Sequence, residues 1–544
     1  MKRGRSLLIW TLAALIALPV ITVFLAWFSP DPELWAHLRD TLLPEMLLNS
    51  VLLCLWVAAG CLLLGVSLAW LVSRYAFPGR DWLQWALVLP FAIPPYVLAF
   101  VYLGLFNYAG PLQSWLHSQF ALPGVDIRES RLVLAGIFSL VFFPYVYLPA
   151  RMAFMTQAAS YDEAAASFGY GRLRRLRHIT LPLARPALAA GVLLAVMETL
   201  ADFGVVAIFN YTTFTTAIYS AWEDYRSLQS AAQIASLLVL FCLLLMLGER
   251  FQRHRHSLSA RSSQALPRQR LSGIRGWLAS ACVAVVLGLA FILPVGQMLV
   301  WALTHPAGAG VADTLAWSLN SLRLACMAAL LTVCVAVLLV LGGQNGSKKG
   351  LLRYSAALAS SGYALPGSVM AVGLMIGLDA LIPGLAFGSV GVLLYAYVSR
   401  FTAVSLGPLE QAAAHYNPHW DEAARTLGAG LWQRLAALRL PLMLPALASG
   451  FLLVMLDVLK ELPATYLLRP YGWDTLAVRI YQLTSEGRYQ EAAQPALLLI
   501  LCTLLLFGLS ALVRAKASLR RFSRQPQCAP AATRPATQHR GHVR

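Results

Sequence analysis

Apolar residues in this chain run in long blocks, broken by short polar stretches rather than by alternation. A helix that crosses a bilayer needs about 20 mostly apolar residues. Twelve blocks meet that length: 7–28, 49–73, 83–107, 132–156, 187–210, 231–249, 277–303, 320–342, 353–378, 387–410, 446–467 and 493–514. Lipid satisfies no backbone polar group, so each block must be a helix or a barrel strand, and blocks this long and continuous are helices. The pattern predicts an all-α polytopic membrane protein with about twelve transmembrane helices.

The polar stretches between blocks alternate in charge. Lys2, Arg3 and Arg5, then Arg74 and Arg80, then Arg172, Arg174, Arg175 and Arg177 fall in every second gap. The intervening gaps carry Asp31, Glu33, Asp40, Glu45, Glu223 and Asp224. The positive-inside rule therefore places both termini in the cytoplasm, and an even number of spans agrees with termini on one side. The first block is longer than a signal-peptide core and has no evident small-residue cleavage site, so it reads as a retained helix.

Composition agrees. Of 544 residues, 59% are hydrophobic and 12% charged, about half the charge of a soluble domain. The net charge of +18 sits in the loops described above and is not a nucleic-acid footprint. Seven cysteines (Cys54, Cys61, Cys242, Cys282, Cys326, Cys334, Cys502) lie inside apolar blocks, and Cys528 lies in the tail. No C-x-x-C spacing occurs, and small core side chains are the simpler reading. The ten histidines are scattered over loops and tails, which argues against an embedded metalloenzyme.

The chain repeats itself. Glu163-Ala164-Ala165 recurs as Glu422-Ala423-Ala424, an offset of 259 (422 − 163), and the same offset carries Gly169 to Gly428, Pro182 to Pro441, Pro186 to Pro445 and Gly191 to Gly450. Asn49-Ser50 likewise returns as Asn320-Ser321. The matched residues are polar, Gly and Pro, so chance likeness among apolar helices does not explain them. Six blocks per half give both halves the same orientation, as parallel repeats. The expected organisation is a first module at 1–250, a basic linker at 251–275, a second module at 276–515 and a basic tail at 516–544, whose composition predicts disorder.

Each copy of the Glu-Ala-Ala segment falls in a loop of the basic side. Acids open a short helix where its dipole favours them, alanines extend it and glycine ends it. A short, small-faced helix repeated in both halves suits docking into another protein. Both segments resemble the EAA loop of binding-protein-dependent ABC permeases, of pattern E-A-A-x3-G-x9-I-x-L-P. The first copy matches throughout and the second departs only at Leu438. The resemblance implies two type I ABC importer modules in one chain, with Glu163, Ala164, Ala165, Gly169, Glu422, Ala423, Ala424 and Gly428 contacting two copies of a cytoplasmic ABC ATPase. The chain has no G-x-x-x-x-G-K-[ST] segment, so ATP would be used by that partner, no cofactor would be bound covalently, and this chain would not be an enzyme.

Charges inside spans are costly and mark function. Glu198 and Asp202 lie four apart in the fifth block, and Asp457 and Glu461 in the eleventh, again at offset 259 (457 − 198; 461 − 202). Residues four apart share a helix face, so each half presents two carboxylates. They either line a substrate path that attracts a hard cation, or cap a broken helix, or pair with Lys460, or simply sit near the membrane interface. The flanking segments Glu198–Val206, Thr213–Tyr219, Lys460–Thr465 and Asp474–Val478 resemble fused ferric-iron permeases. That resemblance implies a periplasmic ferric-binding protein as partner, the bacterial inner membrane as location, and no particular metal ligand. Thiamine or phosphonate importers of the same class are the alternative cargoes, and a proton-coupled secondary transporter is the alternative class, although it gives no reason for two EAA loops.

Overall fold

The computed structural model describes residues 2–29, 32–107, 110–120, 126–156, 164–165, 167–254, 268–305, 310–344, 365–380, 384 and 388–522. Among them, ten helices are long and apolar enough to cross a membrane, from Ile9–Phe28 to Tyr489–Val513. The third expected span is present but bent by 90° between Arg80–Ala92 and Pro95–Leu105. Pro90, Pro94 and Pro95 crowd the bend, and each removes a backbone donor. Of the ninth expected span only the later part, Gly367–Asp379, lies among the described residues.

Two expected spans end early. The fifth stops at Ala201 and the eleventh at Lys460, where hydropathy alone carries each block on to 210 and 467. The tail differs as well, because the last helix runs through to Phe522, seven residues into the segment expected to be disordered. The linker is partly ordered: helix Leu228–His254 enters it, and Gln269–Arg270 pairs in parallel with Tyr75–Ala76.

The repeat is physical. Both halves place a π-type turn, Leu176–Thr180 and Leu435–Arg439, immediately before a Leu-Pro step; such bulges arise where the regular bonding ladder is interrupted. Helix Arg131–Thr156 packs on Leu181–Ala201, and Val390–Ala414 on Leu440–Lys460. The repeated Asn-Ser pair also has a shared task. Ser50 accepts from the Phe214 N–H (3.3 Å) and Ser321 from the Leu476 N–H (2.9 Å), tying the second span of each half to the first residue of a later helix.

The halves interlock. Helix Lys2–Leu25 of the first half lies on Gly367–Asp379 of the second, where Thr22 Oγ1 donates to the Gly373 carbonyl (2.6 Å). Reciprocally, Trp301 of the second half covers Gly104 in the first half's bent span. One buried apolar cluster includes Phe100, Phe138, Tyr397 and Leu459 from both halves. Outward-facing Leu63, Leu244, Leu505 and Leu512 stay at least half exposed, an apolar rim whose natural solvent is lipid.

The two conserved-offset glycines differ in tightness. A Cβ on Gly191 would stand 2.6 Å from the Tyr145 carbonyl oxygen and 2.9 Å from Val146 Cα, whereas one on Gly450 would meet Ser405 at 3.3 Å. Overpacking costs about 1–3 kcal/mol, and replacing a mid-helix glycine by alanine returns about 1 kcal/mol. Gly191→Ala is therefore expected to lower the unfolding midpoint in detergent, and Gly450→Ala to leave it within error or raise it. Equal losses at both positions would contradict this packing.

Candidate functional site

The sequence-predicted acids converge. The bent third span, the fourth, fifth and eleventh spans and helix Val390–Ala414 enclose a cavity of about 110 Å³ between the halves. Glu198, Asp202, Asp457 and Glu461 all line it, with Phe91, Tyr96, Val141, Ala201, Arg400 and Lys460 among their neighbours.

The four carboxylates are not equivalent. At Asp202 the backbone turns extended (ψ 134°) and the helix stops; its carboxylate accepts from the Val205 N–H (2.8 Å), at the start of the short helix Gly204–Ile208. At Glu461 the backbone makes the same turn (ψ 121°). Its carboxylate accepts from the Ala464 N–H (2.9 Å), the Thr465 N–H (2.9 Å) and the Thr465 hydroxyl (2.6 Å). These are the first donors of helix Pro463–Leu468, which have no helical partner of their own. Glu461 also pairs with Arg400 at 2.9 Å. One member of each pair thus caps a broken helix, the structural role weighed above. Glu198 and Asp457 are not caps, and they face the cavity from opposite halves. Lys460 Nζ donates to the Phe91 carbonyl across the interface (3.1 Å).

Arg400 was missed by the charge survey of the spans. The signal was available, since it is an arginine inside the apolar block 387–410. Its partner Glu461 is 61 residues away on another helix, which no local spacing exposes. Among the described residues no group of three or more His, Cys, Asp and Glu side chains is arranged to hold a metal ion.

Beyond the helix breaks, on the side away from the EAA loops, four rings join the halves. Phe203 stacks near Tyr219 (centroids 4.7 Å apart) and Tyr481 (5.3 Å), and Tyr466 near Tyr219 (5.4 Å) and Tyr481 (5.3 Å).

The loops themselves share one end geometry. Gly428 adopts φ +79° and Gly169 φ +73°, the left-handed conformation that glycine reaches without a side-chain clash. The Ala429 N–H bonds back to the Ala424 carbonyl and the Tyr170 N–H to the Ala165 carbonyl, both at 3.0 Å, closing each helix with the six-to-one bond of a glycine cap. Glu163 lies outside the described residues. Glu422 is exposed beside His419 (3.0 Å), Ala164 and Ala423 face outward, and Ala165 is buried. Missed by the sequence reading were Phe168 and Leu427, one residue before each glycine and again 259 apart (427 − 168). They are 80% and 87% exposed, apolar knobs on an otherwise polar turn.

In the second loop Asp421 anchors helix Pro418–Thr426. It is buried, bonded to Arg439 (2.5 Å), Arg434 (3.4 Å) and the Tyr416 hydroxyl (3.1 Å). Burial alone would raise its pKa, but the hydrogen bonds and charges of Arg439 and its neighbours prevail and hold it below the ordinary aspartate value.

The "Binding-protein-dependent transport system inner membrane component" family matches residues 61–256 and 346–524. The chain is similar to the Fe(3+)-transport system permease protein FbpB 2 of Haemophilus influenzae, 28% identical over 84% of this chain and 87% of that protein. It is also similar to the sulfate transport system permease protein CysW of Escherichia coli (30% identical; 43% of this chain, 82% of the relative). A third relative is the molybdate/tungstate transport system permease protein WtpB of Thermococcus kodakarensis (26% identical; 42% and 86%).

Proposed function

The chain belongs to the family of binding-protein-dependent transport system inner membrane components, a multi-pass permease of ABC importers, and from that premise we propose that its cargo is ferric iron. The observation that carries this reading is the Fe(3+) permease relative, which spans both modules, whereas the sulfate and molybdate relatives match less than half of the chain. The cavity chemistry supports it: four carboxylates line the space against two cationic side chains, and carboxylate oxygen suits a hard cation.

In this reading a periplasmic ferric-binding protein delivers the ion at the aromatic ring of Phe203, Tyr219, Tyr466 and Tyr481. Two copies of a cytoplasmic ABC ATPase sit against the EAA loops in the bacterial inner membrane, with both termini of this chain on their side. ATP binding draws the ATPases together, and the loops carry that movement to the helix bundle, so that the cavity opens alternately to either face. Glu198 and Asp457 hold the ion in transit, while Asp202 and Glu461 keep the breaks that shape the cavity. An oxyanion is the second reading, favoured by the sulfate and molybdate relatives and by Arg400 and Lys460 in the wall.

Uptake of labelled ferric iron by iron-starved cells tests the cargo. Uptake should disappear on deletion of the gene and return with the intact chain. It should not return with Phe168→Ala/Leu427→Ala, since buried interface anchors contribute about 2 kcal/mol each, and the ATPase should no longer co-purify. Unchanged iron uptake in a deletion strain lacking other iron importers, with sulfate or molybdate uptake lost instead, would replace the first reading by the second.

A further inference from the structure

We infer that Lys460 is a tethered stand-in for the transported cation, and that it sets how weakly the cavity holds that cation. The inference rests on the cation reading above and concerns one residue of the same cavity.

The internal repeat exposes it. At offset 259, Glu198 answers Asp457 and Asp202 answers Glu461, but Lys460 answers Ala201 (460 − 259) and Arg400 answers Val141 (400 − 259). All eight line the cavity. The acids therefore obey the symmetry, and both cations break it from the same half. The two cations have different tasks. Arg400 is spent on Glu461 at 2.9 Å, and Asp202 is spent on the Val205 N–H. Lys460 shares the cavity wall with Asp457, three residues before it on the same helix, and with Glu198 from the other half.

The ammonium is held loosely. Its hydrogen bond among the described residues goes to a neutral carbonyl, that of Phe91, at 3.1 Å, on the bent third span. A four-carbon stem lets the head swing away without breaking a bidentate pair. A second feature shows room for a ligand: the Tyr96 hydroxyl lines the same cavity, is buried (Tyr96 is 2% exposed) and has no hydrogen-bond partner among the described residues.

Two carboxylates in a water-poor cavity would bind a multivalent cation too firmly to pass it on, because Coulomb attraction grows as the dielectric falls. A resident ammonium removes that trap. It offsets one of the two negative charges while the cavity is empty, yields when a cation of higher charge arrives, and returns as that cation leaves.

The test uses the full-length chain in lipid nanodiscs, with terbium(III) luminescence as the trivalent-cation probe and labelled molybdate as the oxyanion probe. Thermal midpoints are recorded for each variant, and Lys460→Gln replaces Lys460→Met if the latter does not fold. Lys460→Met should hold terbium at least tenfold more tightly than the unaltered chain. Its iron uptake should show a lower KM and a lower maximal rate. Moving the lysine to its symmetry mate, in Ala201→Lys/Lys460→Ala, should restore the weaker terbium binding. Terbium binding in the unaltered chain that does not tighten in Lys460→Met overturns the role of Lys460 and leaves the cation reading intact. An unaltered chain that binds molybdate and not terbium, with molybdate binding lost in Lys460→Met, overturns the cation reading itself and makes Lys460 an anion ligand.

Discussion

Glu461→Ala is expected to lower folding stability by about 3–5 kcal/mol, because removing one partner of a buried ion pair strands the other. The side chains of Glu461 and Arg400 are 1% and 12% exposed. The substitution leaves the guanidinium unpaired, together with the Ala464 and Thr465 N–H groups, while the Thr465 hydroxyl keeps the residue-461 backbone carbonyl and the Tyr397 hydroxyl as partners. The matching change in the first half, Asp202→Ala, removes a helix cap and no ion pair, and should cost about 1 kcal/mol. Denaturant unfolding of the purified chain in detergent measures both. Arg400→Leu/Glu461→Leu should lie closer to the unaltered protein than Glu461→Ala does, since well-packed apolar replacement of a buried pair is often neutral. Gly367→Ala approaches the same pair from the side, because its new methyl would press on Glu461 Oε1 and Arg400. Equal costs for Asp202→Ala and Glu461→Ala would mean that the ion pair contributes nothing and that capping alone fixes the break.

The contrast between these two acids shows what the sequence could and could not reveal. Both were legible as intramembrane charges in symmetric positions, and a broken helix was among the readings their spacing allowed. The break itself was not legible. Leu-Ala-Asp202-Phe-Gly204-Val-Val runs on through apolar residues, and although Lys460-Glu-Leu-Pro463-Ala interrupts its block, hydropathy carries no information on chain direction. The EAA loops were legible down to their glycines, because a left-handed residue has a residue-type signature. Their exposed apolar tips were not, since Phe168 and Leu427 read as ordinary apolar neighbours until the fold turned them outward. The Arg400–Glu461 pair and the Lys460–Phe91 contact join residues 61 and 369 apart. Such contacts depend on how the halves interlock, which neither period nor composition encodes.

Asymmetry between the halves also governs the second large effect, at the cytoplasmic-type loop of the second module. Arg439 stands where the first half has Thr180 (439 − 259), and it reaches Asp421 together with Arg434. Asp421→Ala leaves two arginines, each with a side chain no more than 11% exposed, without their carboxylate, and should cost about 3 kcal/mol. The same change should release helix Pro418–Thr426, so that, on the function proposed above, uptake falls while ATP hydrolysis by the proposed ATPase continues. The pH dependence has a fixed sign. Asp421 has a lowered pKa in the folded chain, so its contribution is complete above the ordinary aspartate value of about 3.9. It is lost as pH falls below that value through the folded pKa. Unfolding free energies of the unaltered chain and Asp421→Asn, measured from pH 7 downward, should differ by a constant amount to about pH 5 and converge below about pH 4. A gap that stays constant through that range would assign the anchor to hydrogen-bond geometry rather than to charge. A gap near zero throughout would mean that Arg434 and Arg439 are satisfied without Asp421, and that the glycine cap holds the end of the loop helix.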